Sequence, residues 1–485
     1  MLFSSLIFLY IFLPISFLLV LISGKKLNNS VLSVLSIFFC AWGGVSYTII
    51  ILCSIILNYI FGLLIDKTAG TPGSKYLLFI GIVINVCLLV VFKYWDFVVT
   101  NYNLSIGGAI GIHDSVKSVA LPLAISYYTF HAISYLLDIF WQKAKVLKNI
   151  IDLTLYITFF PKLVAGPIVR FSIFEEQISN HKISFEKFAS GVERFALGFG
   201  KKILLANTFA YVADKMFALP VNEHSFYTAW LGIITYTLQL YYDFSGYSDM
   251  AIGVAKMFGF TIPENFNFPY ISKSIQEFWQ RWHMTLSAWL REYLFSPLAI
   301  KFRNGGKIGI VISLLITFGI CGLWHGPKWT FVFWGLIHGI FLALESAGFS
   351  KTLKKVWSPF RHIYVILVVL FSWVLFRSDT FEYALGFMNA MIGLGNAKNN
   401  LAIISFFFNS EFQCCLAIGI IATTRFFPFM QNILSEIIEK FPAYFRNIIN
   451  SCILAGEMIG IVLVMFCSTM YMVTTTYNPF IYFRF

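Results

Sequence analysis

Long stretches of this chain contain no charged residue. Residues 1–24 are uncharged, and so is the stretch from Ser30 to Ile65. A helical membrane crossing needs about 20 consecutive apolar residues, so both stretches are long enough to span a bilayer. Of the 485 residues, 58% are hydrophobic and only 12% are charged, where globular proteins have about 25% charged residues. The sequence therefore excludes a disordered chain and an ordinary soluble enzyme, and it predicts a polytopic membrane protein.

The apolar runs predict helices, because lipid requires internally satisfied backbones and the runs lack the alternation of a barrel. They predict about nine to twelve spans of ~17–25 residues each. The runs are 1–24, 30–65 (two spans turning at Gly43-Gly44), 76–92, 119–137, 225–242, 308–324, 329–344, 363–376, 401–424 and 458–483. The first run lacks a basic start and a small-residue cleavage site, so we interpret it as a retained span.

Three segments are too polar to face lipid and too apolar for water. They are 159–167, 171–224 and 263–303. Such segments are tolerated at membrane depth only inside protein or along a cavity, so we expect re-entrant or interfacial helices. The whole chain is interpreted as one membrane domain, with N-terminal spans in 1–118 and the core in 119–485.

The net charge of +12 is concentrated in loops. By the positive-inside rule these loops face the cytoplasm, which places the N-terminus outside; this reading is favoured over nucleic-acid binding. The acid-free clusters are Lys25/Lys26, Lys143/Lys145/Lys148, Lys301/Arg303/Lys307 and Lys351/Lys354/Lys355/Arg361. The eight cysteines lie in apolar runs without C-x-x-C or zinc spacing, so no metal site is predicted.

Ionisable residues inside apolar segments are functional candidates by default. His325 directly follows the run 308–324, lies within Gly322–Pro327 and is the first candidate. The alternative is a structural role, in which His325 hydrogen-bonds a carbonyl at the end of a helix. His283 follows, and His338 fits a satisfied core histidine better than a catalytic one. His131 is a weaker candidate. The histidines interpreted as solvated are His113, His181, His224 and His362.

Residues 278–293 combine an aromatic stripe with polar side chains. Trp279, Trp282, Leu286, Trp289 and Tyr293 recur at helical spacing, which favours packing over binding. Arg281, His283, Ser287 and Arg291 form the polar set. Two guanidiniums in an aromatic helix need a phosphate, a carboxylate or an acidic residue as partner.

A second polar island, Asp243 to Asp249, follows the run 225–242 and includes Ser245. Its carboxylates could pair with Arg281, Arg291 or a histidine. Helix capping at a membrane surface is the equal alternative, since Asp and Ser are good N-caps.

A neutral histidine in a dry pocket can take the proton of a hydroxyl that attacks an activated acyl group. No cysteine or serine motif for a covalent nucleophile stands out, and neither a Walker A nor a G-x-S-x-G motif is present. This favours direct transfer from a thioester to an alcohol.

Several of these segments together resemble the membrane-bound O-acyltransferase family, and within it the bacterial branch that serves alginate O-acetylation. They are Phe278–Tyr293, Gly322–Gly339, Asp243–Gly253, Leu121–Asp138, Ala165–Arg170, Trp373–Arg377 and Tyr482–Phe485. Departures include Lys162, Pro327-Lys328 and the segment Phe295–Ala299, and they weaken the case for alginate itself as the substrate.

The resemblance implies a helical ring with re-entrant helices around a central tunnel. It implies His325 as the essential histidine and His283 as the second polar position, with Trp324, Lys162 and Pro167 among the tunnel residues. The acyl donor would be acetyl-CoA or another cytoplasmic thioester, with no bound cofactor. The acceptor would be an extracytoplasmic polysaccharide (exopolysaccharide or peptidoglycan), served through an esterase-like SGNH-type partner. The implied location is the bacterial inner membrane.

Three other functions stay open on the sequence. D-alanyl transfer to teichoic acid is a close alternative to O-acetylation, because that branch of the family shares the Arg281–Met284 pattern. A proton-coupled transporter would use Asp243, Asp249 and the histidines as a relay, but no paired broken helices are visible. A non-catalytic scaffold would leave the paired histidines without a role.

Overall fold

The computed structural model describes residues 1–104, 122, 124–395, 401–475 and 477–481, with only the backbone of 401–403. Within these ranges all regular structure is helical, which confirms the all-α prediction. The helices up to residue 257 are α1 (Leu13–Ala41), α2 (Val45–Lys67), α3 (Pro72–Leu89), α4 (Trp95–Tyr102), α5 (Ile125–Phe140), α6 (Ile150–Thr158), α7 (Phe160–Leu163), α8 (Phe171–Asn180), α9 (Phe185–Gly200), α10 (Asn207–Phe217) and α11 (Phe226–Met257).

The remaining helices carry most of the predicted site. They are α12 (Ile275–Trp279), α13 (Met284–Leu290), α14 (Ser296–Lys301), α15 (Gly306–His325), α16 (Trp329–Leu344), α17 (Ser350–Lys355), α18 (Ser358–Arg377), α19 (Phe381–Met391), α20 (Leu401–Phe407), α21 (Ser410–Ala422), α22 (Phe426–Glu439) and α23 (Ala443–Thr474).

Seven helical segments of the described chain are long and apolar enough to cross a membrane. They are Phe8–Ala41, Val45–Lys67, Pro72–Tyr102, Arg303–His325, Trp329–Lys355, Ser358–Arg377 and Ala443–Thr474. Helices α21 and α22, bent by 68° to one another, make an eighth if they form one broken span.

Counted this way, with Phe8–Ala41 as one segment, the described residues give fewer candidate segments than the nine to twelve predicted spans. Helices α5 and α11, which overlap the predicted spans 119–137 and 225–242, are not among these segments. Almost all of their residues are buried among other helices. A helix enclosed by protein needs no lipid-facing apolar surface, so α11 can carry tyrosine, threonine, glutamine and aspartate.

The first candidate span is folded back on itself at Gly24. Gly24 has φ +68°, a conformation that glycine adopts without strain. The ring centroids of Phe12 and Phe39 are 5.7 Å apart, although 27 residues of straight helix would separate them by about 40 Å. The segments before and after Gly24 therefore run antiparallel. The predicted turn at Gly43-Gly44 is also confirmed, since α1 ends at Ala41 and α2 begins at Val45.

Helix α11 is the element on which both ends of the described chain meet. Phe3 stacks on Tyr247 of α11 with centroids 4.8 Å apart, and Phe480 packs on the same tyrosine at 4.8 Å. The side-chain amide of Asn478 donates to the carbonyl of Ser4 over 3.0 Å. These contacts join the two ends of the described chain through the core.

Helices α9 and α11 cross with their backbones in contact at two glycine pairs. A Cβ on Gly253 would lie 2.6 Å from the carbonyl oxygen of Gly191, and one on Gly198 would lie 2.6 Å from that of Gly246. Small residues allow such close approach between membrane helices. The pairs are seven residues apart on both helices, so two turns of each helix lie along one seam.

We predict that Gly253→Ala destabilises the protein, because the added methyl overlaps the Gly191 carbonyl. Overpacking of this kind costs about 1–3 kcal/mol. The apparent Tm of detergent-solubilised protein should fall. The matched control is Gly456→Ala on exposed α23, where a Cβ meets nothing within 4 Å. Equal melting temperatures for the two variants would contradict the close backbone contact between α9 and α11.

Candidate active site

His325 is the last residue of α15, and side chains from another segment cap that helix end. Lys93 donates from Nζ to the carbonyl of Trp324 over 2.5 Å and contacts that of His325 at 3.4 Å. The Tyr94 hydroxyl donates to the carbonyl of Leu323 over 2.8 Å. A side-chain donor is favourable at a helix C-terminus, where carbonyls lack helical partners. The segment Pro72–Tyr102 thus fixes the turn that carries His325.

The His325 ring lies in an aromatic enclosure and is 6% exposed. The rings of Trp324, Trp334 and Phe376 are centred 4.8, 5.1 and 5.2 Å from it. Its Nδ1 is buried without a hydrogen-bond partner among the described residues. An imidazole in such surroundings is neutral, because burying an unpaired charge is very costly.

His283 precedes α13 in a strained backbone conformation and is 1% exposed. Its φ and ψ of +43° and +53° are in the left-handed region, which non-glycine residues seldom adopt. Such strain persists only where the surroundings enforce it, and it clusters at functional sites. The Nδ1 of His283 lies 3.0 Å from Oδ1 of Asn265, and Nε2 is buried without a partner among the described residues.

Trp324 lies next to both histidines. Its ring centroid is 6.4 Å from that of His283 and 4.8 Å from that of His325. Phe244 covers the His283 ring at 4.6 Å, and Phe130 stacks on Trp324 at 5.1 Å. The indole Nε1 of Trp324 is also buried without a partner among the described residues. The indole Nε1 of Trp334 is a further such atom, so one aromatic cluster contains four buried polar atoms able to bind a polar ligand, since such atoms normally have a partner.

A cavity of about 530 Å³ is lined by residues that adjoin His283 in the sequence and by residues of α15 and α16. Met284, the neighbour of His283, forms part of its wall with Trp279, Ser287 and Arg291. The other lining residues are Gln276, Gln280, Ala288, Leu290, Phe295, Ile310, Leu314, Thr317, Phe318, Leu342, Glu345, Ser346 and Ser350.

Arg281 and Trp282 do not line this cavity. Arg281 forms an ion pair with Glu277 over 2.9 Å, and Trp282 packs on Trp373 with ring centroids 5.2 Å apart. Burial acts to raise the pKa of Glu277, but the Lys273 N–H and the guanidinium outweigh it and hold that pKa below its ordinary value. Glu277 is therefore a charged partner for Arg281, one of the partner types predicted.

His338 is fully buried with both ring nitrogens bonded. The indole Nε1 of Trp279 donates to its Nδ1 over 3.2 Å, and its Nε2 lies 3.0 Å from the hydroxyl of Ser372. That hydroxyl donates to a backbone carbonyl, so Nε2 carries the proton. The histidine has no free nitrogen for catalysis, in line with a satisfied core histidine.

The predicted partners of Asp243 and Asp249 are wrong. Asp243 pairs with Lys202 over 2.7 Å, and Asp249 pairs with Arg194 over 2.7 Å and Lys201 over 2.6 Å. The capping alternative is also wrong, because both aspartates lie inside α11. These cations come from residues 194–202, which sequence spacing could not place beside α11.

Ser245, Lys162 and Pro167 are buried away from the cavity lining. The Ser245 hydroxyl has no partner among the described residues. The Lys162 ammonium lies 4.0 Å from the ring centroid of Tyr156, which His131 also contacts edge-on at 5.5 Å. The segment 159–167 is thus inside protein, as predicted for residues of this polarity.

Sequence reasoning missed two residues and misjudged a third. Lys93 directly follows the apolar run 76–92, so the rule for ionisable residues near membrane segments could have identified it. Asn265 lies in a loop and carries no comparable signal. His224, interpreted as solvated, is fully buried and lies 2.9 Å from the hydroxyl of Tyr383. His113 lies outside the described residues.

We predict that Lys93→Met lowers the turnover of the acyl transfer implied by the family resemblance by about tenfold or more, a change of about 1.4 kcal/mol in activation free energy. The variant leaves the carbonyls beside His325 without this side-chain donor. The measurement is turnover in nanodiscs with the variant's Tm determined in parallel. Lys75→Met, at an exposed position at the start of α3, is the control. Unchanged turnover in a folded Lys93→Met protein would show that the cap does not position His325.

Residues 116–378 match the sequence model of MBOAT, the membrane-bound O-acyltransferase family. The chain is 40% identical over 400 residues to the probable alginate O-acetylase AlgI of Pseudomonas syringae pv. tomato, covering 82% of this chain and 76% of the relative. It is 36% identical over 437 residues to the peptidoglycan O-acetyltransferase of Helicobacter pylori, covering 82% and 81%. It is 32% identical over 258 residues to the teichoic acid D-alanyltransferase of Streptococcus thermophilus, covering 50% and 61%.

Proposed function

The chain belongs to the membrane-bound O-acyltransferase family and is a multi-pass acyltransferase of the bacterial inner membrane, and we propose that it O-acetylates an extracytoplasmic polysaccharide. Two relatives whose alignments cover 82% of this chain are named for acetylation of alginate and of peptidoglycan. Both names describe acetylation of a polymer that contains sugars. The acceptor class is therefore a polysaccharide, either an exopolysaccharide or peptidoglycan.

The observation that carries this proposal is the meeting of His283 and His325 around Trp324. The two histidines are 42 residues apart in sequence, and both have an unpartnered buried nitrogen among the described residues. In the proposed reaction His325 acts as general base or orients the acceptor hydroxyl, and His283 assists. Trp324 and the surrounding rings exclude water, which protects a thioester from hydrolysis.

The donor in this proposal is acetyl-CoA or another acyl thioester that enters from the cytoplasm through the 530 Å³ cavity. Ile310 and Ser350 line the cavity close to the basic residues Lys307 and Lys351. By the positive-inside rule that end faces the cytoplasm. Arg291 offers a guanidinium suited to a donor phosphate.

On the outer side, the proposed acceptor is reached through an esterase-like SGNH-type partner. This step follows from the polymer acceptors for which the relatives are named, since a large polysaccharide cannot enter a packed aromatic cluster. No nucleic acid is involved, and no cofactor beyond the thioester substrate is proposed. Among the described residues no group of three His, Cys, Asp or Glu could hold a metal ion.

The test is acyl release from labelled acetyl-CoA by the purified full chain in nanodiscs, with membrane extract as the acceptor source. We expect His325→Ala and His283→Ala to lose transfer by on the order of 10²–10⁴-fold, the range of general-base help. His362→Ala, at a partly exposed histidine that contacts a backbone carbonyl, is the control. Full transfer by folded His325→Ala protein would refute the catalytic assignment.

D-alanyl transfer is the second candidate, because the 32% identical relative is named for it. The same assay with a D-alanyl carrier protein separates the two. Transfer from acetyl-CoA alone would support O-acetylation, and transfer from the aminoacyl carrier alone would replace the proposal.

We predict that Arg291→Gln raises KM for acetyl-CoA while leaving KM for a short acetyl thioester without phosphates unchanged. The lost charge-assisted hydrogen bonds are worth about 1.5–3 kcal/mol, which corresponds to roughly ten- to a hundredfold in KM. Arg281→Gln is the matched control, because Arg281 is paired with Glu277 outside the cavity lining. Equal KM changes for both donors would contradict a phosphate contact at Arg291.

A further inference from the structure

The orientation of the Asn265 side chain is fixed by an unambiguous donor. The backbone N–H of Thr285 points at Oδ1 of Asn265 over 3.3 Å, and the Thr285 hydroxyl reaches the same atom over 2.8 Å. A backbone N–H can only donate, so the atom facing it is the amide oxygen. On its other side, Nδ2 of Asn265 donates to the hydroxyl of Ser248 over 3.0 Å. Both ends of the amide are therefore assigned.

This oxygen determines which nitrogen of His283 carries the proton. Nδ1 of His283 lies 3.0 Å from Oδ1 of Asn265, so it must donate a proton to that acceptor. The imidazole is buried and neutral, and a neutral ring has one N–H. Nε2 therefore has a lone pair, and this atom has no partner among the described residues.

Asn265 also supports the strained backbone of His283. The carbonyl of Asn265 accepts from the N–H of Met284 over 2.9 Å, and the N–H of Asn267 donates to the carbonyl of Arg281 over 2.9 Å. These bonds hold residues 265–267 against 281–284. One asparagine thereby fixes both the position and the tautomer of the histidine.

The charged groups around His283 are paired with opposite charges or bonded to backbone carbonyls. Glu264, next to Asn265, pairs with Arg194 over 2.5 Å, and the same guanidinium pairs with Asp249 of α11. Lys93 is 5.7 Å from the Trp324 ring and is bonded to carbonyls. The titratable group of α15 in this cluster is His325, whose ring centroid is 4.8 Å from that of Trp324. None of these groups replaces Asn265 at Nδ1.

We propose that Asn265 is a positioning residue that makes Nε2 of His283 the proton acceptor of the acyl transfer, a role that rests on the proposed function. The acceptor hydroxyl gives its proton to Nε2 while its oxygen forms a bond to the thioester carbonyl carbon. The carbon–sulfur bond then breaks with its electron pair going to sulfur. The imidazolium returns the proton to the thiolate, and the free thiol leaves. His325 then orients the hydroxyl.

The test compares pH profiles of kcat/KM for acetyl-CoA in nanodiscs. Asn265→Asp keeps an oxygen acceptor at Nδ1 and adds a negative charge, which stabilises the imidazolium. We expect this variant to keep turnover and to shift its acidic limb by one pH unit or more towards higher pH. Asn265→Leu removes the acceptor and should lose kcat by roughly 10²–10⁴-fold with little change in KM. Asn267→Ala, at an exposed position two residues away, should leave the profile unchanged.

A second measurement does not depend on the folding of the Asn265 variants. Histidine-selective ¹⁵N spectra of the wild-type protein in lipid, assigned with His283→Gln, report which nitrogen of His283 is protonated. A proton on Nδ1 and none on Nε2 is the expected result. A proton on Nε2 would overturn the inference, as would an unmoved acidic limb in folded, active Asn265→Asp protein. Loss of transfer in His283→Ala with either of these results would leave the proposed function standing while this inference fails.

Discussion

A polar group at membrane depth has to find its partner inside the protein, because lipid supplies none. Three sets of contacts meet this requirement. They are the buried ion pair of Lys202 with Asp243, the two hydrogen bonds of the His338 ring, and the hydrogen bonds of Lys93 to the end of α15. Each joins segments that are far apart in sequence. Other buried polar atoms also lack a partner among the described residues, but those of His283, Trp324, His325 and Trp334 lie together in one aromatic cluster, where a substrate can supply what the protein does not.

Close helix packing gives this cluster its rigidity. Where α15 and α16 cross, a Cβ on Gly322 would lie 2.2 Å from the carbonyl oxygen of Phe331, and one on Gly335 would lie 2.1 Å from that of Phe318. The crossing brings Trp334 of α16 against the His325 ring of α15. Backbones in direct contact leave little room for sliding, and precise placement of reacting groups accounts for much of an enzyme's rate enhancement.

The sequence predicts the elements better than their partners. Uncharged runs identify the spans and glycines identify the turn before α2, because both are local patterns. His283 and His325 were recognisable as ionisable residues in apolar context. The ion pairs of Asp243 and Asp249, by contrast, connect residues about 40–55 positions apart, and no periodicity encodes such a pairing. The tautomer of His283 depends on Asn265, which an isolated loop sequence cannot reveal. Hydropathy also does not distinguish a helix enclosed by protein, such as α5 or α11, from one that faces lipid.

The convergence of both chain ends on α11 has a consequence for biosynthesis. Lys202 bonds the carbonyl of Pro479, and the N–H of Ile481 donates to Asp243 over 2.8 Å. The buried ion pair at the centre of the protein is therefore completed by residues that the ribosome makes almost 240 positions after Asp243. Until they arrive, the two charges lack part of their hydrogen bonding in the membrane. The core around this ion pair can therefore close only after residues 479–481 have been made, so insertion of the early spans and completion of the core are separate events.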